Sequence, residues 1–322
     1  MSISPERSLS RRGFCLCCAG GALFTATGGW LTPREAFAEA RGLVSLIKDS
    51  AAVSPIVTHT LRNGISVLEG SGGNIAVLTG PDGKVLVDGG IGVSRPQLTK
   101  ALAGLGADPV THLINTHWHF DHADGNTWLN SVGAKIIAHE NTRKHLSKVQ
   151  RVEDWDYNFI PLPTGGIPGE VFAQEKKLKL NGSSISLKYY GPAHTDSDIS
   201  VNFVEADILL VADTWWNGVY PFIDYSTGGS IDGQIRAAQR NVDAVTADTI
   251  VVPGHGPIGN KADLVEFHDM LVAIREKVAG LKRQGMTVFE VIAAKPTAAF
   301  DAKWGQFLIT PSAFTGLVYQ GV

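Results

Sequence analysis

The chain has 322 residues, room for one large or two small domains, and its 44% hydrophobic content with 36 glycines suits a loop-rich globular enzyme. A formal net charge of −3 without a basic tract argues against a nucleic-acid partner. All three cysteines (Cys15, Cys17 and Cys18) fall near the N-terminus, so loss of that stretch would leave no thiolate ligand, thiol nucleophile or disulfide.

Residues 1–38 read as a separate segment. Ser10-Arg11-Arg12-Gly13-Phe14-Cys15-Leu16 resembles a twin-arginine export signal, and Ala36-Phe37-Ala38 offers a small-x-small cleavage site. The apolar run between them carries Gly20, Gly21, Gly28 and Gly29, a poor composition for a spanning helix. The expectation is export by the twin-arginine machinery to the bacterial periplasm, with no stable membrane insertion after cleavage.

After a polar lead-in, residues 56–61 and 65–69 predict two strands joined at Asn63-Gly64, a strong hairpin signal. Residues 74–79 and 84–88 predict a second hairpin about Pro81-Asp82-Gly83. A short amphipathic helix follows over 97–105, then a strand over 110–116, a helix over 123–132, a strand over 135–139 and a helix over 141–149. Residues 151–170, rich in Pro, Gly and aromatics, read as an irregular excursion able to act as a lid or substrate wall. Strands are predicted over 176–180, 184–190, 199–204 and 208–212, a helix over 231–245, a strand over 249–252 and a long helix over 261–283, with two short helices in the tail. Two similar halves of this kind imply an α/β (α+β) fold in which two sheets pack face to face with helices outside, a four-layer αββα sandwich.

His117-Trp118-His119-Phe120-Asp121-His122 carries the chemistry: four residues able to bind a divalent ion lie within six positions, directly after an apolar strand. His117 and His119 can share one ion, while Asp121 and His122 face a second. Four further segments have the same form, an apolar run followed by a polar residue. They place His194 to complete a three-histidine site, Asp213 where its two oxygens can bridge two cations, and His255 between glycines. Asp88 lies under the motif loop, where it can orient a ligand. His59, His112, His139, His145 and His268 read as ordinary surface or packing residues.

Together, Asp88-Gly89-Gly90, the His117–His122 motif, Gly191-Pro192-Ala193-His194 with Asp198, Asp213, and Gly254-His255-Gly256 resemble the successive motifs of the metallo-β-lactamase superfamily. The resemblance covers roughly residues 56–260 and implies one domain over 39–322, with C-terminal helices over 261–322. It implies one metal site of His117, His119 and His194, a second of Asp121, His122 and His255, and Asp213 as the bridge. Asp198 supports His194 or the loop after it. The implied cofactor is a pair of divalent ions, zinc first, with iron or manganese as alternatives. The implied reaction is hydrolysis of a small ester, lactone, thioester or cyclic amide by a metal-bound hydroxide, with Asp121 and Asp213 as catalytic carboxylates. The lactonase branch carries tyrosine three residues after the bridging aspartate. Trp216 stands there in this chain, so Tyr220 becomes the candidate substitute, and Trp215 and Trp216 become candidates for the pocket wall. Three other functions compete with this one: a one-iron oxidoreductase resembling persulfide dioxygenases, a β-lactamase-like activity, and a non-enzymatic binding or relay protein.

Overall fold

The computed structural model describes residues 42–322; the segment expected to direct export lies outside them. The first described element is a helix, Leu43–Val53, where the sequence reads as a polar lead-in. It buries Val44 and Ala51, and Leu43 and Ile47 pack partly buried against the same core.

Strands β1 (Val57–Thr60) and β2 (Ile65–Glu69) pair antiparallel around Asn63 and Gly64. Both turn residues have positive φ, 55° and 74°, as a tight hairpin between right-twisted strands requires. Strands β3 (Ile75–Leu78), β4 (Lys84–Val87), β5 (Val110–Ile114) and β6 (Lys135–His139) continue the sheet. The short strands β7 (Gln150–Val152) and β8 (Tyr157–Phe159) form a separate hairpin within the stretch read as irregular, and β9 (Glu170–Phe172) returns to the first sheet beside β6. The first sheet thus has the order β1-β2-β3-β4-β5-β6-β9. The second contains β10 (Glu175–Leu180), β11 (Ser183–Tyr189), β12 (Ile199–Phe203), β13 (Ile208–Trp216) and β14 (Ile250–His255), in that order.

Alternation along the strands builds the layers. Val67, Leu78, Val85 and Val87 meet Leu187, Val201, Ile208 and Leu210 between the sheets. The residues between them in sequence point the other way. Leu68, Val77 and Leu86 pack on Leu98 and Leu102 of the helix Arg95–Gly104 and on Leu129. Leu209, Val211 and Val251 pack under Ile231, Leu264, Phe267 and Leu271, from the helices Ile231–Ala244 and Lys261–Arg283. The result is the four-layer αββα arrangement, with the central strands β3, β4 and β13 buried on both faces.

Three local expectations need correction. The helix expected over 123–132 is two short ones, Phe120–Ala123 and Asn126–Ser131. Between them Gly125 lies so close to the Gly89 loop that a Cβ there would sit 2.1 Å from the Gly89 carbonyl oxygen. Strand β13 runs on to Trp216 instead of ending before Asp213, with register shifts against β14 and a positive φ of 44° at Ala212. The tail holds three short helices, Val288–Ala293, Asp301–Trp304 and Pro311–Gln320. No helix among the described residues is long and apolar enough to cross a membrane.

Candidate metal centre

The centre forms where ends of both sheets meet. The chain leaves β5 at Ile114 and is pinned by a reciprocal amide pair between Asn115 and Asn126, at 2.9 and 2.8 Å. It then turns through His117 and His119 into the helix carrying Asp121 and His122. The second sheet supplies His194 after β11, Asp213 from within β13 and His255 from the end of β14. All seven side chains come together in two groups. The ligand-capable atoms of His117, His119, His194 and Asp213 lie within 4.8 Å of one another, as do those of Asp121, His122 and His255. Asp213 joins the groups: its Oδ2 is 3.3 Å from His194 Nε2 and 3.9 Å from His117 Nε2, and its Oδ1 is 3.2 Å from His122 Nε2.

His117, His119, His122 and His194 are each held by a polar partner on one ring nitrogen, which turns the other toward the centre. His194 Nδ1 donates to the Phe222 carbonyl at 2.8 Å, which turns Nε2 toward the centre, 2.9 Å from His119 Nδ1. His122 Nδ1 is 2.8 Å from Asp88 Oδ2, while Thr116 donates to Asp88 through N–H and hydroxyl at 2.8 and 2.7 Å. His119 is oriented by a carboxylate that sequence reasoning missed. Asp224 Oδ2 lies 3.0 Å from His119 Nε2 and accepts from Thr227 Oγ1 at 2.6 Å. Asp224 follows Pro221, Phe222 and Ile223, the same apolar-run-then-carboxylate form that marked the other positions. Asp198 supports the loop after His194 by accepting from the Thr195 N–H and hydroxyl, at 2.8 and 2.7 Å.

The inward atoms fit a bound cation. His117 Nε2, His122 Nε2, His255 Nε2 and Asp213 Oδ1 are buried without a hydrogen-bond partner. Buried polar atoms are rarely left so, and four of them in two adjoining groups call for partners there. Nitrogen and carboxylate donors in this number suit zinc or a similar first-row ion. Glycines line the cradle: a Cβ on Gly254 would lie 1.8 Å from Asp213 Oδ1, and one on Gly73 would lie 2.2 Å from the His122 ring.

The electrostatics agree. Burial first, and the neighbouring His122 second, hold His117 well below the usual imidazole range. Burial lowers His194 to about 4 despite the pull of Asp213. His255 behaves oppositely: burial opposes its charge, but Asp213 and Asp121 outweigh it and raise the ring to about 9. Burial would likewise lift Asp121, yet His122 and His255 hold it down at about 2. Imidazole ligands bind a cation in their neutral form, so a divalent ion held here would be bound more weakly as pH falls.

The candidate pocket residues separate. Trp216 lies against the centre, its ring 4.3 Å from that of His255. Trp215 is fully buried, with its edge against Gly259. Tyr220 is committed to the C-terminal packing: its hydroxyl donates to Asp301 Oδ1 at 2.9 Å and its ring stacks on Phe314 at 4.7 Å. The outlying histidines have partners of their own; His59 contacts Glu69, and His145 contacts Asp196 and Gln150.

The profile of the metallo-β-lactamase superfamily matches residues 68–255, more than half of the chain. The chain belongs to that superfamily. A hydroxyacylglutathione hydrolase of Polaromonas sp. is 27% identical over 164 residues, 50% of this chain and 54% of that protein. A protein of the same description from Erythrobacter litoralis is 50% identical over 44 residues, 13% of this chain and 17% of its own. The chain thus spans about half, or less, of the length of the curated relatives it matches. Among solved structures, the sec-alkyl sulfatase PisA1 superposes with a TM-score of 0.63 at 13% identity, covering 91% of this chain and 53% of that one. The DIM-1 metallo-β-lactamase does so at 0.54 and 21% identity, covering 68% and 97%. At these identities the superpositions establish the shared fold alone.

Proposed function

We propose that this superfamily member is a di-metal hydrolase, with zinc as its ion, acting on a small ester, lactone, thioester or cyclic amide. The observation that carries the reading is Asp213, one buried carboxylate within 4.0 Å of histidine nitrogens from both groups. His117, His119 and His194 would hold one ion, Asp121, His122 and His255 the other, and Asp213 both. Two such ions would polarise an acyl carbonyl and bring the pKa of a water toward neutrality.

The chain's own residues do the positioning. Asp224, Asp88 and the Phe222 carbonyl fix the ring orientation and tautomer of His119, His122 and His194. Trp155 and Phe222, with ring centres 5.3 and 6.2 Å from that of His119, exclude water from that side. Asp121 is the most exposed carboxylate of the centre, and its Oδ2, 3.2 Å from His255 Nε2, is placed to accept a hydrogen bond from an arriving water or substrate. The hydroxyacylglutathione hydrolase relatives support a thioester or ester substrate. A metal-activated water would serve as nucleophile without a covalent step on the protein, and no cysteine lies in the described residues. We also propose that the chain is exported to the periplasm, a reading supported by Arg11 and Arg12 with the Ala36–Ala38 cleavage motif.

The test is elemental analysis of the purified protein followed by turnover on esters, lactones, β-lactams and thioesters. Two zincs per chain with hydrolysis are expected, and Asp213→Asn should lose both metal and rate. One iron per chain with oxygen uptake would replace this reading with oxidation of a persulfide.

A further inference from the structure

The outer helices of the second sheet pack over β13 and β14 and leave β10, β11 and β12 bare on that side. A groove of about 750 Å³ runs over these three strands, with Ala244, the last residue of the helix Ile231–Ala244, at its rim. None of the residues lining it belongs to the metal centre. Side chains two apart in a strand share a face, and the register sets those of the groove in rows. Glu175, Lys188 and Ser200 form one row across the strands, and Lys177, Ser186 and Asn202 form the next. Their neighbours Leu178, Leu187 and Val201 point the other way, into the core between the sheets.

The charges of this face are not balanced. On β10, Lys176 pairs with Glu170, and Lys179 with Glu205 at 3.0 Å. Lys177 and Lys188 have no ion-pair partner among the described residues, although Glu175 stands opposite Lys188 in the register. The two lysines are diagonal neighbours across β10 and β11, which sets their side chains roughly 7–8 Å apart at the base. Ser186, Ser200 and Asn202 floor the groove beside them, and none of the three side chains makes a hydrogen bond among the described residues. Ser200 lies deepest, 4% exposed. A second hollow of about 500 Å³ continues past Lys188 and Tyr190 to Arg240, whose guanidinium sits 5.6 Å from the centre of the Tyr190 ring.

Two neighbouring cations repel each other, and an anion held between them turns that repulsion into attraction. Hydroxyl and amide groups both donate and accept, which is the chemistry a polyol matches. We propose that the outer face of β10, β11 and β12 is a second binding site, for a small polyhydroxylated anion: a sugar that carries a phosphate or a carboxylate. Lys177 and Lys188 hold the anionic group, Ser186, Ser200 and Asn202 meet the sugar hydroxyls, and Tyr190 covers one flank of the ring. The groove has the volume of a small-molecule site. Glu175, the one carboxylate among the residues lining it, works against the anion.

The experiment titrates the zinc-loaded, 15N-labelled protein with glucose 6-phosphate and, in a separate arm, with glucuronate. Glucose and inorganic phosphate are the controls. One anionic sugar should bind saturably and more tightly than either control, with amide shifts gathered in β10, β11 and β12; the arm that binds tighter names the anionic group. Lys177→Gln combined with Lys188→Gln should weaken that binding roughly tenfold, the worth of two screened charge contacts, with melting temperature and zinc content unchanged. Glu175→Gln should tighten it. Inorganic phosphate bound as tightly as the better sugar overturns the proposal, because the lysines would then act as a bare cationic patch. So do shifts confined to the metal-centre loops, binding that neither variant alters, or no saturable response to either sugar.

Discussion

Replacing Gly254 by alanine tests whether the centre depends on backbone packed against its shared carboxylate. The new Cβ would lie 1.8 Å from Asp213 Oδ1, 2.7 Å from the Ala212 carbonyl carbon and 2.8 Å from the Asp213 nitrogen. The first contact can be relieved by turning the carboxylate away, but the other two are main chain and require β13 and β14 to move apart. Overpacking of this kind costs about 1–3 kcal/mol. Displacing a reacting group by about 1 Å costs on the order of a hundredfold in rate. Gly254→Ala should therefore remain folded by circular dichroism, melt lower, and show both depleted zinc by mass spectrometry and a hundredfold lower kcat/KM. Gly104→Ala is the control. No atom lies within 4 Å of a Cβ at Gly104, the last residue of its helix, so its melting point should hold or rise slightly. A Gly254→Ala protein with full zinc and full activity would refute the packing argument.

Two further outcomes are expected. Asp224→Ala leaves His119 Nε2 without its acceptor, so zinc should be held about 10–100-fold less tightly in competition with a chelator, and unchanged affinity would remove Asp224 from the centre. Asp154→Asn should show its effect through pH. Burial first, then Asp224 and Glu153, raise the Asp154 carboxyl from 3.8 to about 6. Its folded-state pKa is above the unfolded one, so the protonated form stabilises the fold below about pH 4, and that contribution is lost as pH rises through 6. The variant should be more stable than the parent by roughly 1–3 kcal/mol at pH 7.5, with the gain shrinking to nothing near pH 4. An equal gain at both pH values would mean the carboxylate charge is not the cause.

The positions of the metal-capable residues were legible because each follows an apolar run that becomes a buried strand or the turn after one. The form of those runs was less so. Asp213 reads as a strand terminus, but β13 continues past it to Trp216, since pairing with β14 resumes after the irregularity at Ala212. Nothing in residues 208–216 reveals that; it depends on a partner strand some forty positions away. Tyr220 fails for the same reason. Its ring and hydroxyl are claimed by Phe314 and Asp301, from C-terminal helices whose docking leaves no local periodicity near Tyr220. Asp224 had the right form but belonged to no spaced motif, so only the 3.0 Å contact with His119 identifies it. The β7–β8 hairpin pairs three residues on each side, too few for alternation to separate it from a loop.

The division of donors between the sheets has a thermodynamic consequence. His117, His119, Asp121 and His122 follow a strand of the first sheet, while His194, Asp213 and His255 come from the second, so each group draws on both. Asn74, at the start of β3, already laces the layers by donating to the Pro253 and Gly256 carbonyls, both at 3.0 Å. An ion seated in either group would act as a rivet through the sandwich. Prising the layers apart and releasing the ion would then be one event, and resistance to denaturation would track free zinc concentration.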